Sequence, residues 1–349
     1  MRKICIICFG FICLNISAQD TVKIKTALTP EQEAENTFNL GLEFMMKKDF
    51  NTAIENFSKA ITLNPNFDKA FINRGFAKFE SKNFEASISD FNNAISIKPL
   101  SVDAFFGKAQ SFYAMNKKDS CLTYLNKVTM VDETYSKAFY LSGQIKFETG
   151  DYKEAIAEYN NAISSKPDYA YAYNDRASAK KQLGDNTGAI LDYEKAVSLD
   201  PKLFFAYNNL GSCKRNNGDN QGAIVSYNTA IGIKPDYYVA YNNRGTAKFK
   251  TNDYVGAISD FNMALKYKAD YALAMNNMAS VYIKKKEYKI AVEWSSKAIS
   301  ADVKCGAAYL NRGIAKQMLR DDDGSCADWK KAAEYGIAEG KNFSAGLCD

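Results

Sequence analysis

The stretch that decides the fold is AYNNLGSCKRNNGDNQGAIVSYNTAIGIKP, residues 206–235. It contains in order a tyrosine, a glycine, an alanine, a second tyrosine, another alanine and a closing proline. The closing proline recurs at intervals of 34 residues or twice 34, at Pro65, Pro99, Pro167, Pro201 and Pro235. A period of this length is typical of stacked helix-turn-helix units, none of which can bury its apolar face alone. The sequence therefore predicts an all-α repeat array.

Nine copies of the repeat align without an insertion when each begins 31 residues before its proline position. The starts, from which repeat positions 1 to 34 are counted, are Ala34, Asp68, Val102, Ser136, Ala170, Phe204, Tyr238, Ala272 and Gly306. We predict a signal peptide at residues 1–18, a tail and the start of the first helix at 19–33, repeats at 34–339, and a C-terminal cap at 340–349. Thr29, Pro30 and Gln32 are predicted to cap the first helix.

Small side chains occupy two positions of every repeat. Position 8 is glycine or alanine, and position 20 is alanine, serine or cysteine. Two antiparallel helices approach closely only where both present small residues, so these positions are predicted to form the crossing point of each helix pair. Aromatic residues recur at positions 4 and 24 and are predicted to fill the core around that point.

This pattern resembles the tetratricopeptide repeat family from residue 34 to about residue 339. The resemblance implies an α-solenoid of about nine tandem helix-turn-helix repeats forming a right-handed superhelix. It also implies that the first helices line a concave face, with positions 2, 5, 6, 9, 12 and 13 directed towards a bound protein. Repeat three departs most from the pattern, and a local bend or softening is expected there.

Asparagine is concentrated at positions 5 and 6. The run resembles the asparagine ladder in the repeat arm of O-GlcNAc transferase, whose amides hold an extended peptide by its backbone. An amide both donates and accepts, so it can pair with a peptide group whatever the side chain. The alternative is that these residues serve solubility or local packing. The predicted partner-binding residues are Asn39, Asn73, Asn174, Asn208, Asn209, Asn242, Asn243, Asn276, Asn277 and Asn311.

Arginine at position 7 occurs together with lysine at position 11 and aspartate at position 23 in four repeats. Where position 7 is leucine or methionine, position 23 has no acidic residue. This covariation predicts a charge-assisted bond between the two helices of a pair. The alternative is an anion site built from the four arginines. The predicted structural ion pairs are Arg74 with Asp90, Arg176 with Asp192, Arg244 with Asp260, and Arg312 with Asp328.

The N-terminus has the organisation of a secretory signal peptide. Arg2 and Lys3 precede an apolar run that ends before Ser17, and cleavage is predicted after Ala18. The run is too short to be a stable membrane span, so we expect an exported, periplasmic or secreted product without stable membrane insertion. A short uncleaved anchor is the alternative. Loss of Arg2 and Lys3 lowers the formal charge from +5 to +3. Without a basic stripe, nucleic acid is not an expected partner.

Cysteine and histidine usage bears on redox state, metals and catalysis. Cys121 and Cys213 are expected as buried free thiols. In an oxidising compartment Cys326 is predicted to pair with Cys348, with Cys305 as a competing partner. The mature chain has no histidine and no Cys-x-x-Cys, so no metal or cofactor is expected. It also has no glycine-rich phosphate loop and no Gly-x-Ser-x-Gly motif, and we do not expect an enzyme.

The function predicted from these features is a non-catalytic scaffold that binds an extended segment or helix of a partner protein in the concave groove. One alternative is a structural subunit of a cell-envelope assembly that uses convex or terminal surfaces. Another is a carbohydrate or peptidoglycan binder, since rows of tyrosine and asparagine also suit sugars. The sequence determines neither the partner nor the oligomeric state.

Overall fold

The computed structural model describes residues 28–348, and the predicted signal peptide with its cleavage site lies outside this range. Every regular element within the described range is a helix, so the predicted all-α array of tandem helix pairs is confirmed. The helices are α1 (Pro30–Met46), α2 (Phe50–Leu63), α3 (Asp68–Glu80), α4 (Phe84–Ile97), α5 (Val102–Ala114), α6 (Lys118–Val131), α7 (Ser136–Glu148), α8 (Tyr152–Ser165), α9 (Ala170–Gln182), α10 (Asn186–Leu199), α11 (Phe204–Asn216), α12 (Asn220–Ile233), α13 (Tyr238–Lys250), α14 (Tyr254–Tyr267), α15 (Ala272–Lys284), α16 (Tyr288–Ala301), α17 (Gly306–Met318), α18 (Asp322–Glu334) and α19 (Ala338–Leu347).

Helix boundaries follow the repeat positions. From repeat two onward each first helix begins at position 1, and in all nine repeats the second helix begins at position 17. The first helix starts earlier, at Pro30, because Thr29 caps it. Thr29 Oγ1 accepts from the backbone N–H of Gln32 at 3.2 Å, and the Gln32 side-chain oxygen accepts from the backbone N–H of Thr29 at 3.0 Å. This is the reciprocal cap that the sequence predicts.

The turn inside each pair requires one residue in the left-handed backbone region. At Gly150, Gly184 and Gly218 φ lies between +84° and +87°, a conformation that costs glycine little. In six of the nine repeats the side chain of the next residue caps the second helix, as when Asp219 Oδ1 accepts from the backbone N–H of Gly222 at 2.8 Å. These local signals reverse the chain at the same place in successive repeats.

The chain divides into two compact units, one ending at Ser111 and the other beginning at Phe112, so that the division falls inside α5 of repeat three. The core of each unit is a series of buried side chains at position 24, between the two helices of a pair. They are 0 or 1% exposed at Phe57 and Phe91 in the first unit, and at Tyr159, Tyr193, Tyr227, Phe261 and Trp329 in the second.

The ring at position 24 explains why position 8 is small. A Cβ atom added to Gly245 would lie 2.7 Å from Cε1 of Phe261 and 3.2 Å from the carbonyl oxygen of Ala257 at position 20. The crossing point predicted between positions 8 and 20 thus also includes the ring, and a close-packed interior has no room for a side chain there. The same approach to the ring occurs at Gly41 with Phe57, Gly75 with Phe91, Gly143 with Tyr159, Gly211 with Tyr227, and Gly313 with Trp329.

Where position 24 has no aromatic ring, position 8 is alanine instead of glycine. Repeat three combines Ala109 with Leu125, and repeat eight combines Ala279 with Ser295. Repeat five is an exception, since Ala177 is followed by Tyr193 at position 24. In most repeats, therefore, a larger residue at position 8 accompanies a smaller residue at position 24 of the same helix pair.

Candidate functional site

The asparagines at positions 5 and 6 connect successive repeats in the second unit. Position 6 of one repeat donates its side-chain N–H to the side-chain oxygen at position 5 of the preceding repeat, 35 residues earlier. We call these four bonds the amide ladder. They join Asn209 to Asn174 at 3.4 Å, Asn243 to Asn208 at 2.9 Å, Asn277 to Asn242 at 2.9 Å, and Asn311 to Asn276 at 2.8 Å.

The ladder corrects the expectation that the asparagines at position 5 are directed towards a bound protein. The four position-5 asparagines are buried, with exposures of only 4 to 8%, because the first helix of the next repeat packs over them. The position-6 asparagines are half-buried. Each position-6 amide donates to a neighbouring repeat, and within residues 28–348 its Oδ1 accepts no hydrogen bond. Position 5 is therefore structural, whereas position 6 keeps an acceptor that a ligand can reach.

The two predicted asparagines of the first unit are not part of the ladder. Asn39 is exposed, and the Asn73 side chain donates to the carbonyl of Lys69 in its own helix at 2.9 Å. The position-5 residues of that unit include Phe38 and Ile72, which cannot accept a hydrogen bond from the next repeat. The structure therefore brings together eight of the ten predicted residues and leaves these two apart.

An apolar stripe runs beside the ladder and was not recognised from the sequence. It consists of the position-2 residues of repeats five to eight, one helical turn before position 6 and hence on the same side of each first helix. Tyr171 is 46% exposed and Leu273 is 52% exposed, and the rings of Tyr171 and Phe205 lie 5.9 Å apart. The sequence contains a signal for this stripe, because position 2 changes from charged residues in repeats one to four to apolar or aromatic residues in repeats five to eight. The stripe comprises Tyr171, Phe205, Val239 and Leu273.

The predicted arginine and aspartate residues face each other in bidentate geometry. In repeat seven Arg244 donates from Nε to Asp260 Oδ2 at 2.9 Å and from Nη2 to Oδ1 at 2.6 Å, while Lys248 Nζ lies 2.9 Å from Oδ2. The aspartate side chains are buried. The same triad is formed by Arg74, Lys78 and Asp90, by Arg176, Lys180 and Asp192, and by Arg312, Lys316 and Asp328.

Each of these arginines also binds the preceding repeat. Arg244 Nη1 donates to Asn228 Oδ1 at 2.6 Å, and its guanidinium carbon lies 5.4 Å from the centroid of the Tyr241 ring. Its three nitrogens are thus all engaged, and its charge is balanced by Asp260. This arrangement favours a structural role over the anion site considered from the sequence.

One contact between successive repeats differs in chemistry from the amide ladder. Between repeats four and five, Tyr140 Oη donates to Asp175 Oδ2 at 2.7 Å, with the same offset of 35 residues as the amide ladder. Asn174 Nδ2 donates to the other oxygen, Oδ1, at 2.8 Å. Burial raises the pKa of the Asp175 carboxyl group, against the opposing effect of its donors Tyr140, Asn174 and Gln144. Sequence reasoning treated Asp175 only as a break in the asparagine run.

The five described cysteines fall into two groups. Cys121, Cys213 and Cys305 are buried free thiols, and burial raises the pKa of the Cys121 thiol to about 12. Such thiols are poor nucleophiles at neutral pH. The Sγ atoms of Cys326 and Cys348 face each other, with the two Cα atoms 5.6 Å apart.

No cluster of three or more histidine, cysteine or acidic side chains in residues 28–348 could hold a metal ion. Over the same residues, no helix combines the length and apolarity needed to cross a membrane.

Comparison with known families identifies the class. A family model described as TPR repeat matches residues 143–184 and 177–212, and models described as tetratricopeptide repeat match 38–67, 206–237 and 272–304. With the tandem helix pairs, these matches show that the chain belongs to the tetratricopeptide repeat family. No curated protein matches the sequence.

Several solved structures are similar to this chain. The APC/C hetero-tetramer Cut9-Hcn1 has a chain that aligns with a TM-score of 0.58 and 13% identity, over 90% of this chain and 76% of its own length. YrrB, described as a TPR protein with an unusual peptide-binding site, aligns at 0.47 and 19% identity over 53% of this chain and 95% of its own. A MamA structure aligns at 0.41 and 27% identity, over 47% and 96%. The first of these likenesses shows a shared fold.

Proposed function

We propose that this protein is a non-catalytic scaffold that binds an extended segment of a partner protein along the amide ladder of repeats five to nine. The observation that carries the proposal is the state of the position-6 amides. Each is oriented by the preceding repeat through its N–H, yet leaves its Oδ1 unpaired beside the apolar stripe. The family to which the chain belongs is one of protein-interaction repeats, and the proposal agrees with that class.

The mechanism follows from the chemistry of an extended backbone. Such a segment exposes peptide N–H groups, and a row of amide oxygens can accept from them without selecting a side chain. Each bond contributes about 0.5 to 1.5 kcal/mol net of desolvation. Because the amides are already held by their neighbours, little rotamer entropy is lost on binding. The apolar stripe adds about 25 cal/mol for each Å² of apolar surface that the partner covers.

Two other occupants are compatible with particular surfaces. The exposed Tyr171 ring beside the ladder also suits a sugar. The second helices expose Leu191 (63%), Val225 (59%) and Val255 (82%), which favours the alternative of permanent association through a different face. A glycan array tests for sugar binding, and a measurement of self-association tests for permanent assembly. Both are run in parallel with the peptide-binding experiment.

The test uses peptides selected from a random dodecapeptide display library on the purified protein. Replacing Asn209, Asn243 and Asn277 together by alanine should weaken binding of the selected peptides by about 100-fold, since three bonds of about 1 kcal/mol each are lost. Affinity is measured by isothermal titration calorimetry, and folding by circular dichroism.

The matched control replaces Asn208, Asn242 and Asn276 by alanine. This variant also breaks three ladder bonds but retains every position-6 amide. It should lose about as much stability as the first variant but less peptide affinity, because its position-6 oxygens remain although they are no longer oriented by position 5. Equal losses of affinity in the two variants, or unchanged binding by a folded position-6 variant, would show that the ladder is structural only.

We also propose that the chain is exported and that the bond between Cys326 and Cys348 forms in an oxidising compartment. The bond closes a separation of 22 residues and holds α19 against the last repeat. In the chain-entropy model it stabilises the terminal repeat by about 3 kcal/mol. Replacing both cysteines by serine should lower the free energy of unfolding of that repeat by about this amount, whereas Cys305→Ser should leave the bond intact.

Export and oxidation are checked on protein recovered from the cell envelope or medium. Mass spectrometry should find Gln19 as the first residue, and non-reducing peptide mapping should find Cys326 joined to Cys348. Cys326 recovered as a free thiol would refute the pairing, and an intact residue 1 would refute the cleavage.

A further inference from the structure

A cavity of about 160 Å³ lies between repeats four and five, within the second unit. Five of its lining residues belong to first helices, at positions 6, 9, 12 and 13, which the family directs towards a ligand. None of the six is basic. The cavity is lined by Gln144, Phe147 and Glu148 of α7, Tyr159 of α8, and Asp175 and Ser178 of α9.

The hydroxyl group of Tyr159 is the first sign that the cavity is built for a ligand. Its counterparts in the next two repeats pair with position 9, Tyr193 Oη with Ser178 at 2.9 Å and Tyr227 Oη with Ser212 at 3.2 Å. Position 9 of repeat four is instead Gln144, whose side-chain N–H donates to Tyr140 at 3.1 Å. Tyr159 is 1% exposed, and within residues 28–348 its hydroxyl has no hydrogen-bond partner.

Charge balance is the second, independent sign. The four buried aspartates at position 23 each have an arginine and a lysine, whereas Asp175 is held only by the neutral donors Tyr140 and Asn174, with Gln144 beside them. The other carboxylate of the cavity, Glu148, is already paired with Lys118 at 2.9 Å and accepts a bond from Tyr113. Within residues 28–348 no cation thus lies beside the Asp175 carboxyl group, and its ionised form is costly to bury without a partner, in keeping with its raised pKa.

We propose that this cavity binds an ammonium group, supplied by a lysine side chain or by the N-terminus of the segment that occupies the amide ladder. The assignment of that segment rests on the proposed function. The cavity lies at one end of the groove, next to the uncharged amides of repeats five to nine, and would select for a positive charge there.

The geometry favours an ammonium over a guanidinium group. Both oxygens of Asp175 already accept one hydrogen bond, from Tyr140 and from Asn174, which hinders the paired approach that a bidentate guanidinium needs. An ammonium has three radiating donors that can each take a single lone pair, from Asp175, Glu148 or the Tyr159 hydroxyl. The rings of Phe147 and Tyr159 supply cation–π attraction. A cavity of about 150 Å³ accommodates benzene, so the end of an aminoalkyl chain fits.

The test uses n-butylammonium as the probe and nuclear magnetic resonance of the isotope-labelled full-length mature protein as the readout. Saturable shifts are expected for the amides of Gln144 and Ser178. Asp175→Asn should weaken the affinity at least about tenfold, because a charge-assisted bond is lost. Tyr159→Phe, which removes a single oxygen, should weaken it about threefold, a loss near the lower limit for one hydrogen bond. Asp236→Asn makes the same charge change at an exposed site and should have no effect.

Comparison probes define the results that would overturn the proposal. Equal binding of 1-butanol would make the cavity merely apolar, and tighter binding of n-propylguanidinium would refute the selectivity for ammonium. Absence of saturable shifts, or full affinity in a folded Asp175→Asn variant, would refute the site. Acetyl-Ala-Lys-Ala-amide and Ala-Ala-Ala-amide then distinguish a lysine from an N-terminus. The small probe needs no ladder contact, so this experiment and the asparagine variants can fail independently.

Discussion

Asp260→Ala is expected to destabilise repeat seven by about 3 to 5 kcal/mol, the usual cost of removing one partner from a buried ion pair. The substitution leaves Arg244 and Lys248 facing each other without the carboxylate that both bind at 2.6 to 2.9 Å. Asp260 is only 2% exposed, so water cannot replace it readily. The loss is measured by denaturant unfolding, together with hydrogen exchange of α13 and α14, because repeat arrays can unfold in parts.

The chain supplies its own control for this prediction. Repeat six has Leu210 and Ser226 at the two positions, so Arg244→Leu combined with Asp260→Ser reproduces an uncharged pair that the fold already contains. Most of the lost stability should return in the double variant, because replacing both partners of a buried ion pair costs far less than removing one partner alone. If a double-mutant cycle shows no coupling between Arg244 and Asp260, the bidentate contact does not stabilise the pair.

Phe261→Ala is expected to cost about 3 to 5 kcal/mol, the range for removing a buried phenylalanine ring. The ring is 1% exposed and fills the space against Gly245, which has no side chain to move into the cavity left behind. The unfolding midpoint and the exchange protection of α13 should both fall. Tyr171→Ala removes a ring that is 46% exposed and should cost less than about 1 kcal/mol.

A second substitution tests the exchange of volume between positions 8 and 24. Gly245→Ala alone should be destabilising, since its Cβ atom would lie 2.7 Å from the Phe261 ring. Combined with Phe261→Leu, it reproduces the pair Ala109 and Leu125 of repeat three and should be less destabilising than the sum of the two changes. Strict additivity would mean that the two positions do not share one packing site.

The comparison between sequence and structure is clearest at the ion pairs. The residues at positions 7 and 23 vary together among the nine copies, so the chain contains its own record of a contact at a separation of 16 residues. The corresponding pattern of the amide ladder links neighbouring repeats and was not recognised. Each asparagine at position 5 is followed 35 residues later by an asparagine at position 6, whereas Ile72 and Phe106 at position 5 are followed by Gly107 and Leu141.

Burial at position 5 is the other feature that the sequence did not show. Asn174, Asn208, Asn242 and Asn276 are polar and lie on the predicted ligand-facing side of their helices, which suggested contact with a bound protein. They are covered because the first helix of the following repeat packs over position 5. A pattern within one repeat cannot show what the neighbouring repeat covers.

The sequence by itself determined the repeat boundaries, the all-α class and the small-to-large packing inside each helix pair, because these depend on residues within a single period of 34. Only the tertiary structure decided which side chains meet between repeats. Tyr140 with Asp175, the unpaired hydroxyl of Tyr159 and the ladder bonds all depend on how one first helix is seated against the next. The position of one first helix relative to the next results from the packing of whole helices. No single motif of the sequence specifies it.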